Sequence, residues 1–540
     1  MDTGSVNRKA KPSTWKLAPE IAPLAQGIVV NGYGMFPTGL ALFLQLKEAQ
    51  GGRWLDAVKK IVQITPAVPP AKEVEEVVPY GAAIAFTFTG LKAMKLPETA
   101  LASFSRPFRE GMFQEDRMRR LGDKRGEKWA VTVAKGGPVW SANTPLRPPT
   151  DHTIGAYDVP SKADEKPVVT QVTVHAVIMI YTREDATAVT LAESLQDALS
   201  DHGVTIVHQQ ELRLDADNTG VSREHFGYAD GLSQPEPFDE NGAVTLEGKP
   251  VKEAQKVQGV PLGEFLVGYL NGHHEKAPGP VVPGISPSRQ TLDPEGAGLV
   301  PHPEAEGFYD FGLNGSYMVI RELEQDVAGF WNSMDRNAAA LRARDPKGSS
   351  HITADWIADR VVGRNKDGHL LCPAGYLNAE GDMPFSGYLF LKDDADGAGC
   401  PVGSHVRRAF PRDALAPSAA EGEILLSAAN NHRILRRGRK FGPKLHDARS
   451  NDGQKRGLLF ICLNTDIARQ FEFIQQTWLL NPDFAVLFGE VDPLVGEHGK
   501  MTIRDKALRR TIDVETYVTL AGGDYFFLPS LPALNYLGML

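Results

Sequence analysis

Apolar residues follow two periods along this chain. In Met35–Leu46 the leucines Leu40, Leu42, Leu44 and Leu46 fall at every second position, which predicts a strand. Tyr80–Thr89 repeats the pattern through Ile84, Phe86 and Phe88, and Val168–Tyr181 is the clearest strand of the first half. Ala25–Val30 and Leu262–Tyr269 read as shorter strands. In the second half, Gly315–Leu323, Leu458–Leu463 and the apolar run Asp524–Ser530 follow. Helical spacing appears in Gly51–Ile64 through Trp54, Val58 and Ile61, and again in Ala186–Leu199, Gln325–Leu341 and Ile467–Trp478. A further helix is predicted to open at Gly90–Met94 and to continue past Leu96. Strands and helices interleaved in this order predict an α+β fold, with helices packed on one face of an antiparallel sheet. The Gly-rich turn of a dinucleotide-binding fold is missing.

Between these elements lie polar or Gly- and Pro-rich stretches. Residues 1–20 read as a poorly ordered lead-in. Phe104–Asp123 reads as a loop covering something rather than as a core element, and Arg125–Pro167 as loop and turn. Asn271–Pro303, thick in Pro, Gly and Ser, is a loop long enough to be either functional or disordered in a compact protein. Leu370–Gly399 has the look of an irregular insertion. His175 sits inside an apolar strand, where a satisfied core or edge position is the ordinary outcome, so it takes no role here.

Composition narrows the function. The chain has 540 residues, 42% hydrophobic and 23% charged, as in a soluble globular protein of two or three ordinary domains or one large fused pair. A net charge of −9 argues against nucleic-acid or basic membrane-surface binding. The three cysteines, Cys372, Cys400 and Cys462, form no C-x-x-C pair, which disfavours zinc, iron–sulfur and disulfide-stapled classes. The polar N-terminal stretch lacks a secretory pattern. The run Gly34–Leu46 is too short and too interrupted by Pro37 and Thr38 to cross a bilayer. The expectation is a soluble, cytoplasmic protein.

Three segments carry chemistry. Cys400–Arg412 reads C-P-V-G-S-H-V-R-R-A-F-P-R, with His405 followed closely by Arg407, Arg408 and Arg412. A neutral imidazole is a metal ligand, and guanidinium groups pair with carboxylates through parallel hydrogen bonds. Haem offers a partner for each, an iron and two propionates. A solvated loop with basic residues is the competing reading. Phe226–Pro235 reads F-G-Y-A-D-G-L-S-Q-P and sets Asp230 between Gly227 and Gly231, either beside a ligand or in an ordinary turn. His432–Gly442 holds Arg433, Arg436, Arg437 and Arg439, either as a solvated run or placed near a core by the strand that follows.

Taken in order, these motifs resemble the dye-decolourising peroxidases. The matching stretches are G-x-x-D-G at Gly227–Gly231, G-S-H-V-R-R-A-F-P-R at Gly403–Arg412 and R-R-G-R-K-F-G at Arg436–Gly442. G-L-L-F-I-C-L-N at Gly457–Asn464 and G-G-D-Y-F-F-L-P-S at Gly522–Ser530 complete the set. The resemblance runs from about Ala25 onward, and the long intervening segments suggest a longer member of the family.

It implies two ferredoxin-like α+β halves, 21–225 and 226–540, with one haem b in the C-terminal half. It further implies His405 as the axial iron ligand, Asp230 as the acid/base and Arg436 as the charge stabiliser, with Arg433 and Arg437 as rivals for that last role. Gly231, Ser233, Leu458 and Phe460 would border the haem, and Arg407 would meet a propionate. Asp492, in E-V-D-P-L, is the candidate partner of His405. The implied reaction uses hydrogen peroxide to oxidise phenolic or dye-like donors, and a haem-handling protein without peroxide turnover is the alternative. A carboxylate acid/base in place of imidazole implies an acidic working range. No shell-targeting tail is seen before Leu540, and the oligomeric state and natural donor stay open.

Overall fold

The computed structural model describes residues 15–47, 51–68, 80–141, 172–215, 221–238, 257–284, 292–371 and 388–540. The N-terminal half contributes β1 (Thr38–Leu46), α1 (Trp54–Ile61), β2 (Tyr80–Phe86), β3 (Ala176–Thr182), α2 (Asp185–Ser200) and β4 (Val204–Glu211). The C-terminal half contributes β5 (Ser316–Gln325), α3 (Val327–Arg344), β6 (Leu435–Arg436), β7 (Gly457–Asn464), β8 (Val518–Leu528) and the closing helix α4 (Leu531–Gly538). These strands form one continuous sheet in the order β6-β7-β5-β8-β2-β3-β1-β4. Each half repeats the same strand order, second, third, first and fourth, all antiparallel. That is the ferredoxin-like order, and it occurs twice. The halves meet where Phe527 of β8 pairs with Phe86 of β2.

The alternation in sequence has a direct physical outcome. Leu42 and Leu44 pack with α1 and α2 on one face of the sheet, through Trp54, Val58, Leu195 and Leu199. Ala41 and Phe43 point to the opposite face and join Met179, Tyr181, Ile320 and Phe526. Both faces are therefore dry in the N-terminal half. Trp140 wedges the halves together, with its ring 4.5 Å from Phe43 and its Nε1–H donated to Glu322 of β5 at 2.8 Å.

Several expectations need correction. Ala25–Val30 is not a strand but a buried 3₁₀ turn, Gly27–Val29. The Gln26 amide holds that turn, bonding both the N–H and the C=O of Ile84, so its β-branched residues are buried without sheet pairing. Leu262–Tyr269 likewise opens with a 3₁₀ turn and then bends through Gly268 at φ 99°. The helix opened near Gly90 ends at Ala93, and Glu98–Ser103 starts anew after Pro97, whose ring disfavours continuation.

Phe104–Asp123 is a core element. It forms two short helices, Arg106–Glu110 and Glu115–Arg120, and buries Phe104, Phe108, Met112, Phe113 and Met118. Ile467–Trp478 is helical but wound as π-helix over Ala468–Glu472 and Ile474–Leu479. β4, the helix Ala354–Val362 and the hairpin Gly499–Asp505/Leu508–Val514 are present without having been anticipated. Residues 142–171 and 372–387 lie outside the described residues. They include most of the expected loop Arg125–Pro167, the start of the expected strand Val168–Tyr181 and part of the expected insertion Leu370–Gly399.

Candidate active site

A cavity of about 600 Å³ lies beside β5 and β7. On β7, Leu459 and Ile461 belong to the buried core, while Leu458 and Phe460, on the strand's other face, line this cavity. His405, Asp230, Gly231, Ser233 and Arg436 line it too. Segments far apart in sequence are thus brought to one chamber.

His405 begins a single helical turn, His405–Ala409. The turn is fixed by Arg408, which is fully buried and donates to the carbonyl oxygens of Gly403 (3.2 Å), Asn481 (2.8 Å) and Glu490 (3.0 Å). The last two contacts tie it to the segment leading into Asp492. The Asp492 carboxylate, 1% exposed, lies 3.0 Å from His405 Nδ1 and also accepts the N–H groups of Leu494 and Val495, each at 2.9 Å. Burial alone would push this carboxyl up. The facing imidazole and the donated N–H groups outweigh burial and hold it below the usual carboxylate value. A carboxylate only accepts, so Nδ1 carries a proton, and Nε2 is the nitrogen left to act as a ligand. Nε2 has no protein partner among the described residues.

Asp230 sits at the end of a hairpin that starts at Ser222. Its backbone N–H donates to Ser222 O at 3.0 Å, and its Oδ1 accepts the N–H of Gly231 at 2.6 Å. Gly227 and Gly231 adopt φ of 102° and 77°, which side chains resist, so both glycines are required by the turn. Arg436, on β6, donates through Nη2 to Leu232 O, two residues beyond Asp230, and its backbone N–H donates to the Gln234 side chain at 3.1 Å.

The two rival arginines line the cavity as well, each with hydrogen bonds of its own. Arg437 donates to Ile28 O (2.7 Å) and Val29 O (2.6 Å), and burial lowers its pKa to about 10. Arg433 donates through Nη2 to Ser233 O (2.8 Å) and Gln258 Oε1 (2.9 Å), under the ring of Phe410 at 4.0 Å.

Arg407 does not reach the cavity. Its guanidinium is turned into the protein, donating to Asp394 O (2.9 Å), Cys400 O (3.0 Å) and Ala395 O (3.2 Å) against the ring of Phe390. Two residues on from His405 in a one-turn helix, it points away from His405's side of the turn, and the expectation of a propionate contact is corrected accordingly.

Arg412 and Arg433 line the cavity instead. Arg412 holds Ser233 Oγ at 3.1 Å and Tyr388 O at 2.9 Å, and its φ is 56°. Burial first, then the neighbouring Arg412 and Arg436 charges, push Arg433 far below its ordinary value, and its Nη1 is buried without a partner. Such a concentration of cations fits an anionic group at this wall. A carboxylate-bearing macrocycle with a metal centre would find both kinds of partner on this cavity: Nε2 of His405 for the metal, Arg412 and Arg433 for the carboxylates. The run of four arginines in the sequence signalled some such wall but did not say which members turned inward. The buried pair Arg321–Asp123 (Nη1–Oδ2 3.1 Å) also borders the cavity, and no sequence signal marked it.

Comparisons with known proteins bear on the family and the fold. No protein-family model matches the chain. A multifunctional dye peroxidase of Amycolatopsis sp. is 30% identical over 391 residues, covering 68% of this chain and 72% of its own length. The chain belongs to the dye-decolourising peroxidase family. A family member from Auricularia auricula-judae is 29% identical over 247 residues, 42% of this chain and 47% of its own. Among solved structures, the DyP-type peroxidase of Anabaena sp. superposes with a TM-score of 0.66 at 20% identity, covering 96% of this chain and 95% of that one. A dye-decolourising peroxidase in complex with 2,6-dimethoxyphenol gives 0.66 at 22%, covering 97% and 100%. At such identities the structures establish the fold, which is the α+β ferredoxin-like one. Dye-decolourising peroxidases are haem-dependent oxidoreductases, and this chain is placed among them. Among the described residues no helix is long and apolar enough to cross a membrane.

Proposed function

We propose that this dye-decolourising peroxidase binds haem b through His405 and uses hydrogen peroxide to oxidise phenolic or dye-like donors, with Asp230 as acid/base and Arg436 as charge stabiliser. The observation that carries the reading is the joint placement of His405, Asp230 and Arg436 on one cavity. Haem, when bound, supplies the redox-active iron at which peroxide is reduced.

The protein's share is positioning and proton handling. His405 offers Nε2 as ligand, and the Asp492 carboxylate fixes its tautomer and strengthens its basicity. Arg412 and Arg433 hold the cofactor's carboxylates. Asp230 accepts a proton from one peroxide oxygen and returns it to the other before their bond breaks, worth about 10²–10⁴ in rate. Arg436, anchored on Leu232 O, stabilises the negative charge that develops on the leaving oxygen without reorganising. Leu458 and Phe460 keep that wall apolar. Residues 21–225 would then form the N-terminal ferredoxin-like domain and 226–540 the haem-binding one. Three cysteines in 540 residues, with Cys400 and Cys462 buried and free, suit a reducing, cytoplasmic setting.

The test is turnover. Haem-loaded protein given hydrogen peroxide and 2,6-dimethoxyphenol should form oxidised product only when both are present. His405→Ala should abolish it, with partial recovery on adding imidazole. A normal Soret band with no peroxide-driven oxidation would instead mark a haem-handling protein.

A further inference from the structure

The hairpin that carries Asp230 is wrapped around a second carboxylate, which the proposed chemistry does not use. Glu224 accepts three hydrogen bonds: Oε1 from Tyr228 N at 2.9 Å, and Oε2 from Phe226 N at 2.8 Å and from Gln325 Nε2 at 2.8 Å. Its own backbone is engaged in the same turn. Glu224 N donates to Tyr228 O and Glu224 O accepts from Gly227 N, both at 3.0 Å. Outside this inner ring, Arg223 bridges to Ala229 and Asp230 N closes on Ser222 O. Gln325 is the last residue of β5, so the third bond fastens the hairpin to the sheet. Every group that meets the Glu224 carboxylate is a donor. Removing it leaves two backbone N–H groups facing inward with no acceptor, one turn before Asp230.

From this arrangement we infer that Glu224 is the positioning residue of the reaction: it fixes the placement of Asp230 at the cavity wall and acts only through it. A carboxylate that must meet a small, unanchored substrate gains most from such fixing, because a displacement of about 1 Å costs on the order of 10²-fold in rate. The sequence alone does not distinguish Glu224 from the other acidic loop residues. The structure does, because both its oxygens and both its backbone polar groups serve one turn. The inference rests on the reading of Asp230 as the proton carrier.

The test is a double-mutant cycle on haem-loaded protein, with Glu224→Ala, Asp230→Asn and the pair. The readouts are haem content, the resting Soret maximum and the bimolecular rate of the peroxide-induced Soret change. Glu224→Ala should keep haem content and resting spectrum near wild type and slow the peroxide step by about 10- to 100-fold. Asp230→Asn should slow it by about 10²–10⁴. The pair should be no slower than Asp230→Asn alone, since a residue acting only through Asp230 has nothing left to position.

A per-haem rate for Glu224→Ala within about twofold of wild type overturns the inference, as does an additive double mutant. An unchanged rate in Asp230→Asn instead overturns the reading of Asp230. Should Glu224→Ala fail to fold, Glu224→Gln keeps the side-chain volume and one acceptor oxygen. It should show a smaller loss, about tenfold or less, that again vanishes in the Asp230→Asn background, and an additive loss would overturn the inference here too.

Discussion

Asp492 accepts from His405 Nδ1 at 3.0 Å while two backbone N–H groups, of Leu494 and Val495, hold its other oxygen. The carboxylate is therefore fixed before it meets the imidazole, and the ring's orientation follows from it. A ligand whose second nitrogen faces a full negative charge is a stronger electron donor to a metal. Asp492→Asn keeps the shape and removes the charge. The expected result is a haem reduction potential shifted to a more positive value, with His405 still bound. Spectroelectrochemical titration of wild type and variant reads this, and an unchanged potential would remove Asp492 from the account.

The arginines can be sorted by the same kind of measurement. Arg407 is 2% exposed and committed to three carbonyl groups, so Arg407→Ala should cost about 3 kcal/mol of stability and leave haem affinity per folded molecule unchanged. Arg433 presents a buried Nη1 without a partner, so Arg433→Leu should lower haem affinity by about tenfold or more, with a smaller loss of stability. Thermal denaturation of the apoprotein together with haem titration separates the two. Reversed results would restore Arg407 as the anchor.

Glu224 gives the account a pH signature. Burial raises its carboxyl from 4.5 to about 7, against the three hydrogen bonds it receives. The folded state thus holds this proton more tightly than the unfolded chain does. The associated stability is full below about pH 4.5 and is lost as pH rises through about 7. Glu224→Gln cannot ionise and lacks this dependence. The difference in melting temperature, variant minus wild type, should rise between about pH 4.5 and 7 and then level off. A flat difference across that range would contradict the assignment.

Much of the fold was legible because period-2 alternation survives wherever a strand has two distinct faces, as in Leu40–Leu46 and Ser316–Leu323. It misled where apolar β-branched residues are buried without sheet pairing, as at Ile28 and Val29, whose burial comes from the Gln26 amide reaching into β2. Phe104–Asp123 reads as a loop because its two helices are each too short for a helical period to emerge from the arginines within them. At the site, residues defined by local motifs, such as His405 and Asp230, could be named from the sequence. The choice of Arg407 over Arg412 for a propionate fails, because which guanidinium turns inward depends on a single helical turn and on the left-handed backbone of Arg412. Glu224 carried no signal because its role consists of hydrogen bonds to main-chain groups.

On the function proposed above, Asp230 would carry the proton for peroxide bound in the cavity it shares with His405. Stopped-flow absorption of the haem-loaded protein mixed with one equivalent of hydrogen peroxide tests it most directly, with Asp230→Asn alongside. The account predicts a rapid Soret change in wild type and one slower by about 10²–10⁴ in the variant, at equal haem content. Equal rates in the two proteins would contradict it.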